Sequence, residues 1–123
     1  MEKRNIIEWS EFSDYKELTI PSGEIWMSES ELVDMFGVFI PKLKRAIQEL
    51  YTEELAKPYE AERTIKERRN VYLTVYSFDV VLLLAFRLNS YQARAVRREL
   101  AERIIRDRKP LEVILTPIKR KED

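Results

Sequence analysis

Two groups of side chains in this 123-residue sequence have types and spacings that could do chemistry. The first is Lys42, Lys44, Arg45 and Gln48; the second is Arg63, Lys66, Arg68 and Arg69. Cations at such spacing neutralise phosphates and release their counterions, and a carboxamide can pair with a base edge. Duplex DNA is therefore the partner they suggest. A turn kept soluble by charge is the plainer reading of Arg68-Arg69. Beside the first group stands Phe39-Ile40-Pro41, whose side chains donate no hydrogen bonds. That triplet reads either as a protein-docking surface or as apolar packing against a later hairpin over 59–76.

Other chemistry has little to work with. The chain has no Cys and no His, which excludes disulfides and thiol catalysis and removes the commonest general base and metal ligand. The acid pairs Glu53-Glu54 and Glu60/Glu62 lie in polar stretches, where nothing would shift a carboxyl pKa. Asp79 reads as a first-turn acid favoured by the helix dipole. No Gly-rich phosphate loop is present. No catalytic residue, metal, cofactor or small-molecule substrate is expected.

The formal net charge is zero, yet it is unevenly spread. Residues 1–62 carry 7 Lys and Arg against 14 Asp and Glu, whereas residues 63–123 carry 15 against 8. A neutral total thus hides a local basic surface, or else two solvated faces of different sign. The longest apolar run is Val80 to Phe86, far short of the roughly 20 residues a membrane helix needs. Residues 1–9 lack a sustained apolar stretch. Neither a leader nor a membrane span is expected, and a cytoplasmic location is the default.

The elements that must position these residues follow from pattern. Residues 1–14 show no period and read as a loosely held arm. Tyr15 to Ile20 alternates, and with Ile25-Trp26-Met27 it predicts a hairpin around Pro21-Ser22-Gly23-Glu24. Ser28-Glu29-Ser30-Glu31 has the form of a capping box, with Met27 and Leu32 spaced as a hydrophobic staple. A first helix stops at Gly37. A second starts with Pro41 at its first position and carries Leu43, Ile47, Leu50 and Tyr51 as its apolar stripe. Arg63 to Lys66 and Val71 to Tyr76 predict a second hairpin around Glu67-Arg-Arg-Asn70. Ser77 is expected to cap a helix over 78–88, apolar nearly all round. A last helix runs from Tyr91 to about Arg108, with Ala93, Val96, Leu100 and Ile104 inward, and ends by Pro110. On it Arg94, Arg97 and Arg98 share a face, either as a further phosphate strip or paired with Glu99, Glu102 and Asp107. Leu111 to Leu115 reads as a strand and Lys119 to Asp123 as a solvated tail.

Helix, tight Gly turn, helix over 28–51 is the pattern of a DNA-reading helix-turn-helix, and a basic hairpin after it has the place of a wing. Glu24-Ile-Trp-Met-Ser, Leu32-Val-Asp-Met-Phe-Gly-Val38, Tyr76-Ser-Phe-Asp-Val-Val81 and Arg87-Leu-Asn-Ser90 together resemble the N-terminal DNA-binding region of the RhuM virulence-protein family. The resemblance spans about residues 15–105. It implies a DNA-binding protein of bacterial genomic islands or mobile elements. Two positions depart from the family pattern: Val33 stands where a small residue is usual, and Phe39-Ile40-Pro41-Lys42 where Ser and Thr open the reading helix.

The expected fold is α+β and mainly helical: a winged helix-turn-helix-like domain over 15–109 with short β-hairpins and two C-terminal helices. An arm over 1–14 precedes it and a strand or tail over 110–123 follows. The expected function is that of a small bacterial DNA-binding protein, a transcriptional regulator or a mobile-element factor. Lys42, Lys44, Arg45 and Gln48 would be at the major groove, and Arg63, Lys66, Arg68 and Arg69 on the backbone. The alternative is a protein-interaction module on the same scaffold, using Phe39, Ile40 and Pro41 for a protein partner or a homodimer.

Overall fold

The structure, a computed structural model, describes residues 4–12 and 15–107. It is α+β, with five helices and two small antiparallel sheets among the described residues. In chain order these are β1 (Glu8–Phe12), β2 (Tyr15–Thr19), β3 (Trp26–Ser28), α1 (Glu29–Phe36), α2 (Ile40–Thr52), α3 (Pro58–Ala61), β4 (Glu62–Arg68), β5 (Val71–Ser77), α4 (Phe78–Arg87) and α5 (Tyr91–Asp107). No helix among them is long and apolar enough to cross a membrane.

The first hairpin differs from the expected one. β2 pairs with β1, from Glu8↔Thr19 to Phe12↔Tyr15, while β3 pairs with β5 in a sheet of order β3-β5-β4. The described part of the expected loose arm is therefore held. Ile7 is buried, the Trp9 indole N–H donates to the Met35 carbonyl at 3.1 Å, and the Arg4 guanidinium bonds to both Glu31 oxygens at 2.7 Å. The Pro21–Glu24 segment does not fold β3 onto β2, since β1 takes the edge of β2 and β5 that of β3. The Asn5 amide bridges the segment, donating to the Ser22 and Glu24 carbonyls. Met27 then faces the same side of the sheet as its partner Tyr76, and both are buried.

α1 is built as its sequence prescribes. Ser28 Oγ accepts from the Glu31 N–H at 3.3 Å, and Glu31 accepts from the Ser28 N–H at 2.8 Å, which closes the capping box. Burial pulls the Glu31 carboxyl up. The hydrogen bonds from Arg4 and Ser28, with the Arg4 charge, outweigh burial and hold it below the ordinary 4.5. Gly37 ends α1 in the left-handed region at φ 63°, its N–H returning to the Val33 carbonyl at 2.8 Å. A Cβ there would meet the Gln92 side chain at 2.5 Å, so α5 closes on this turn. Ser90 fixes the junction. Its hydroxyl donates to the Phe36 carbonyl at 2.5 Å and accepts from the Ala93 N–H at 3.0 Å, serving the last turn of α1 and the first of α5 together.

The helices meet through Leu32, Met35 and Phe36 of α1, Leu43, Ala46, Ile47 and Leu50 of α2, Val80, Val81, Leu84 and Ala85 of α4, and Ala93, Val96 and Leu100 of α5. Three local expectations shift. α2 begins at Ile40, so Pro41 is its second residue; Ser77 stands at the N-cap of α4 without a capping side-chain bond; and Ile104 is half exposed, since α5 outruns the core after Leu100. α4 is also less enclosed than its composition suggests, with Phe86 exposed. The basic face of α5 is only partly free. Arg97 donates to the Ala85 and Leu88 carbonyls at the end of α4, Arg94 to the Asn89 carbonyl, and Arg103 to the Leu18 carbonyl of β2. Arg108 to Pro110, the Leu111–Leu115 strand and the tail lie outside the described residues.

Replacing Ser90 by Ala removes a helix cap and orphans the Phe36 carbonyl, and should destabilise the fold by about 2 kcal/mol. Gly37→Ala should cost about 1–2 kcal/mol, from the left-handed backbone alone. Urea unfolding midpoints check both. Because the Glu31 value is depressed on folding, its stabilisation is whole above about pH 5 and is lost as pH falls through the folded value. The stability of Glu31→Gln should therefore drop less between pH 7 and pH 3 than that of the unaltered chain.

Candidate nucleic-acid interface

α2 buries Leu43, Ala46, Ile47 and Leu50, which fixes what its opposite side presents. Pro41, Lys42, Lys44, Arg45 and Gln48 are all exposed there, and none of the three cations forms an ion pair or side-chain hydrogen bond with a described residue. No acid lies in the first turn. The acids further along are engaged: Arg87, at the end of α4, donates to Glu49 at 3.1 Å and to both oxygens of Glu53. The Arg87 hydrogen bond, helped by its charge, holds the Glu53 carboxyl below its usual range against the desolvation that opposes it. One of the two negative charges at the C-terminal end of α2 is thus offset by Arg87.

The β4–β5 hairpin carries the second group. Its register runs Glu62↔Tyr76, Thr64↔Thr74 and Lys66↔Tyr72 on one face, with Arg63↔Val75 and Ile65↔Leu73 on the other. β3 pairs only with Val75 to Ser77, so toward the tip the hairpin is two-stranded. A bulge between Lys66 and Arg68 places Arg68 opposite Val71, and Asn70 closes the turn in the left-handed region at φ 58°. The strand is longer and the turn shorter than expected, with Arg69-Asn70 alone at the tip. Lys66, Arg68 and Arg69 are exposed and without partners among the described residues.

The structure brings Lys66 to the α2 side of the sheet and sends Arg63 to the other. Tyr51 of α2 donates to Glu62 at 2.7 Å, and Tyr76 to Glu29 at 3.4 Å, which lays α1 and α2 over the Glu62–Tyr76 face. Lys44 and Gln48 border a cavity of about 240 Å³ against that face, with Tyr51, Glu62 and Tyr76. Burial, then the Glu62 hydrogen bond, pushes the Tyr51 phenol far up. Burial and the Glu29 and Glu62 charges take Tyr76 to about 12. Both phenols are donors at neutral pH and fix Glu62 and Glu29 in place with their charges intact. Arg63 instead stacks over the Trp26 ring at 3.9 Å, a cation–π contact that covers the outer face.

Phe39 is 84% exposed and Ile40 39%, so the triplet does not pack on the hairpin. The reason is length. The hairpin root is met by Tyr51, about 18 Å along the axis from Phe39 at a rise of 1.5 Å per residue. Tyr51, Tyr76 and Arg87 escaped the sequence reading because each acts on a residue distant in the chain. Only the i, i+4 spacing of Glu49 and Glu53 signalled that one cation could hold both. Among the described residues no group of three acids is placed to hold a metal ion. No protein-family model, curated protein or solved structure matches the chain.

Proposed function

We propose that this chain is a small DNA-binding protein that sets α2 in the major groove and lays the tip of the β4–β5 hairpin along the phosphate backbone, in the manner of a winged helix-turn-helix. The division of its basic side chains carries this reading. Arg4, Arg87, Arg94, Arg97 and Arg103 are spent on carboxylates and backbone carbonyls. Lys42, Lys44, Arg45, Lys66, Arg68 and Arg69 are exposed without a partner among the described residues on two neighbouring elements, while Lys57, Arg98 and Arg106 are exposed singly elsewhere. The pairing of β3 with β5 supports the wing, because it ties the strand before α1 to the returning strand of the hairpin. The resemblance to the RhuM family supports a bacterial transcriptional regulator or a factor associated with genomic islands or mobile elements.

A second reading, a protein-docking module on the same helical pair, draws on the exposed Phe39 and Ile40. The two part on salt. Six phosphate contacts lose on the order of a thousandfold in affinity between about 50 and about 200 mM salt, whereas apolar association does not weaken. Fluorescence anisotropy of a labelled mixed-sequence duplex measures this. Arg68→Ala should weaken binding to all sequences and lower the salt slope by about one, while Gln48→Ala should alter base preference. Absence of binding at low salt would move the assignment to the docking module.

A further inference from the structure

Phe39 breaks two local rules at once. It occupies the N-cap of α2, with extended backbone at φ −84° and ψ 155°, where Ser, Asp or Asn would accept a hydrogen bond, and it makes no capping bond. It also leaves a phenyl ring 84% exposed. Nothing within the described chain compensates for either, and such unrewarded local conflict marks a site whose compensation comes from outside. Its surroundings state the chemistry of the partner. Lys42, Lys44 and Arg45 follow within two turns with no acid in the first turn, a setting suited to a polyanion. The centre of a protein interface is poor in lysine.

We propose that Phe39 reads thymine: its ring packs against the 5-methyl group of a thymine at the N-terminal end of α2, a role that rests on the DNA-binding reading above. The N-terminal residues of a reading helix are those that meet base edges. A phenyl ring can neither donate to nor accept from the polar atoms of the major groove. The thymine methyl is the apolar group that the groove displays.

The test uses the full chain and a duplex selected by it from a randomised pool. Thymines are replaced singly by deoxyuridine, which removes the methyl and keeps both the pairing edge and the phosphate charge. The unaltered chain should lose about fourfold in affinity at one or two positions, the worth of one buried carbon. Phe39→Ser should bind the thymine and uracil forms equally and keep its salt slope. It should also melt a few degrees higher, because its hydroxyl completes the N-cap, which separates the effect from misfolding. Indifference of the unaltered chain to uracil at every position would overturn the proposal, as would persistent discrimination in Phe39→Ser. If Phe39→Ser instead dissolves a dimer in sedimentation and leaves the thymine-to-uracil ratio unchanged, the ring belongs to a protein interface and the proposal fails. Failure to select any duplex at low salt would overturn the DNA-binding reading itself, whereas salt-sensitive binding blind to the methyl overturns only the thymine contact.

Discussion

Ser90 stands where two helices end on each other, and the orientation of α2 depends on that junction. The last carbonyl of α1 has no partner within its own helix, and neither have the first N–H groups of α5. One hydroxyl serves both, giving its proton to Phe36 and receiving one from Ala93. With Gln92 pressed against the Cα of Gly37, the α1–α2 turn has little freedom. α2 is aimed by this arrangement at one end and by the Tyr51–Glu62 hydrogen bond at the other. A helix held at both ends presents a fixed face, as recognition of a groove requires.

The acids around the same helix are held in fixed hydrogen bonds. Glu49 and Glu53 are tied to Arg87, and Glu29 and Glu62 accept from tyrosine hydroxyls that stay protonated at neutral pH. Arg87 offsets one of the two charges of Glu49 and Glu53, and the tyrosine hydrogen bonds fix Glu29 and Glu62 without removing their charge. The cations of α2 and of the hairpin tip form no ion pair among the described residues. Elsewhere arginine serves as a staple. Arg97 collects two carbonyls at the end of α4, where the helix dipole also favours a cation. Part of the large positive balance of residues 63–123 is therefore taken up inside the fold.

Much of this was legible in the sequence, and the exceptions share one cause. The capping box at Ser28, the stop at Gly37, the apolar stripe of α2 and the β4–β5 hairpin are local, and each is written in residues within a few positions of one another. The pairing of β3 with β5 joins residues about fifty apart, and the packing of Ile7 and Trp9 depends on Leu18 and Met35 arriving from elsewhere. No periodicity announces such contacts. The same limit separated Arg63 from Lys66. Both read as hairpin cations, yet strand alternation sends them to opposite faces, and only knowledge of where α2 lies says which face matters. Ile104 kept helical spacing beyond the point where the core ends.

A surface for duplex DNA shared by α2 and the hairpin tip is the proposal on which the rest turns. Backbone amide chemical shifts of the labelled chain, followed while a mixed-sequence duplex is added at low salt, test it most directly. Shifts should concentrate in residues 39–48 and 66–70, while Trp26, Arg63 and the exposed side of α4 around Phe86 stay still. Shifts gathered on the Trp26–Arg63 face or along α5, with residues 39–48 unmoved, would contradict it.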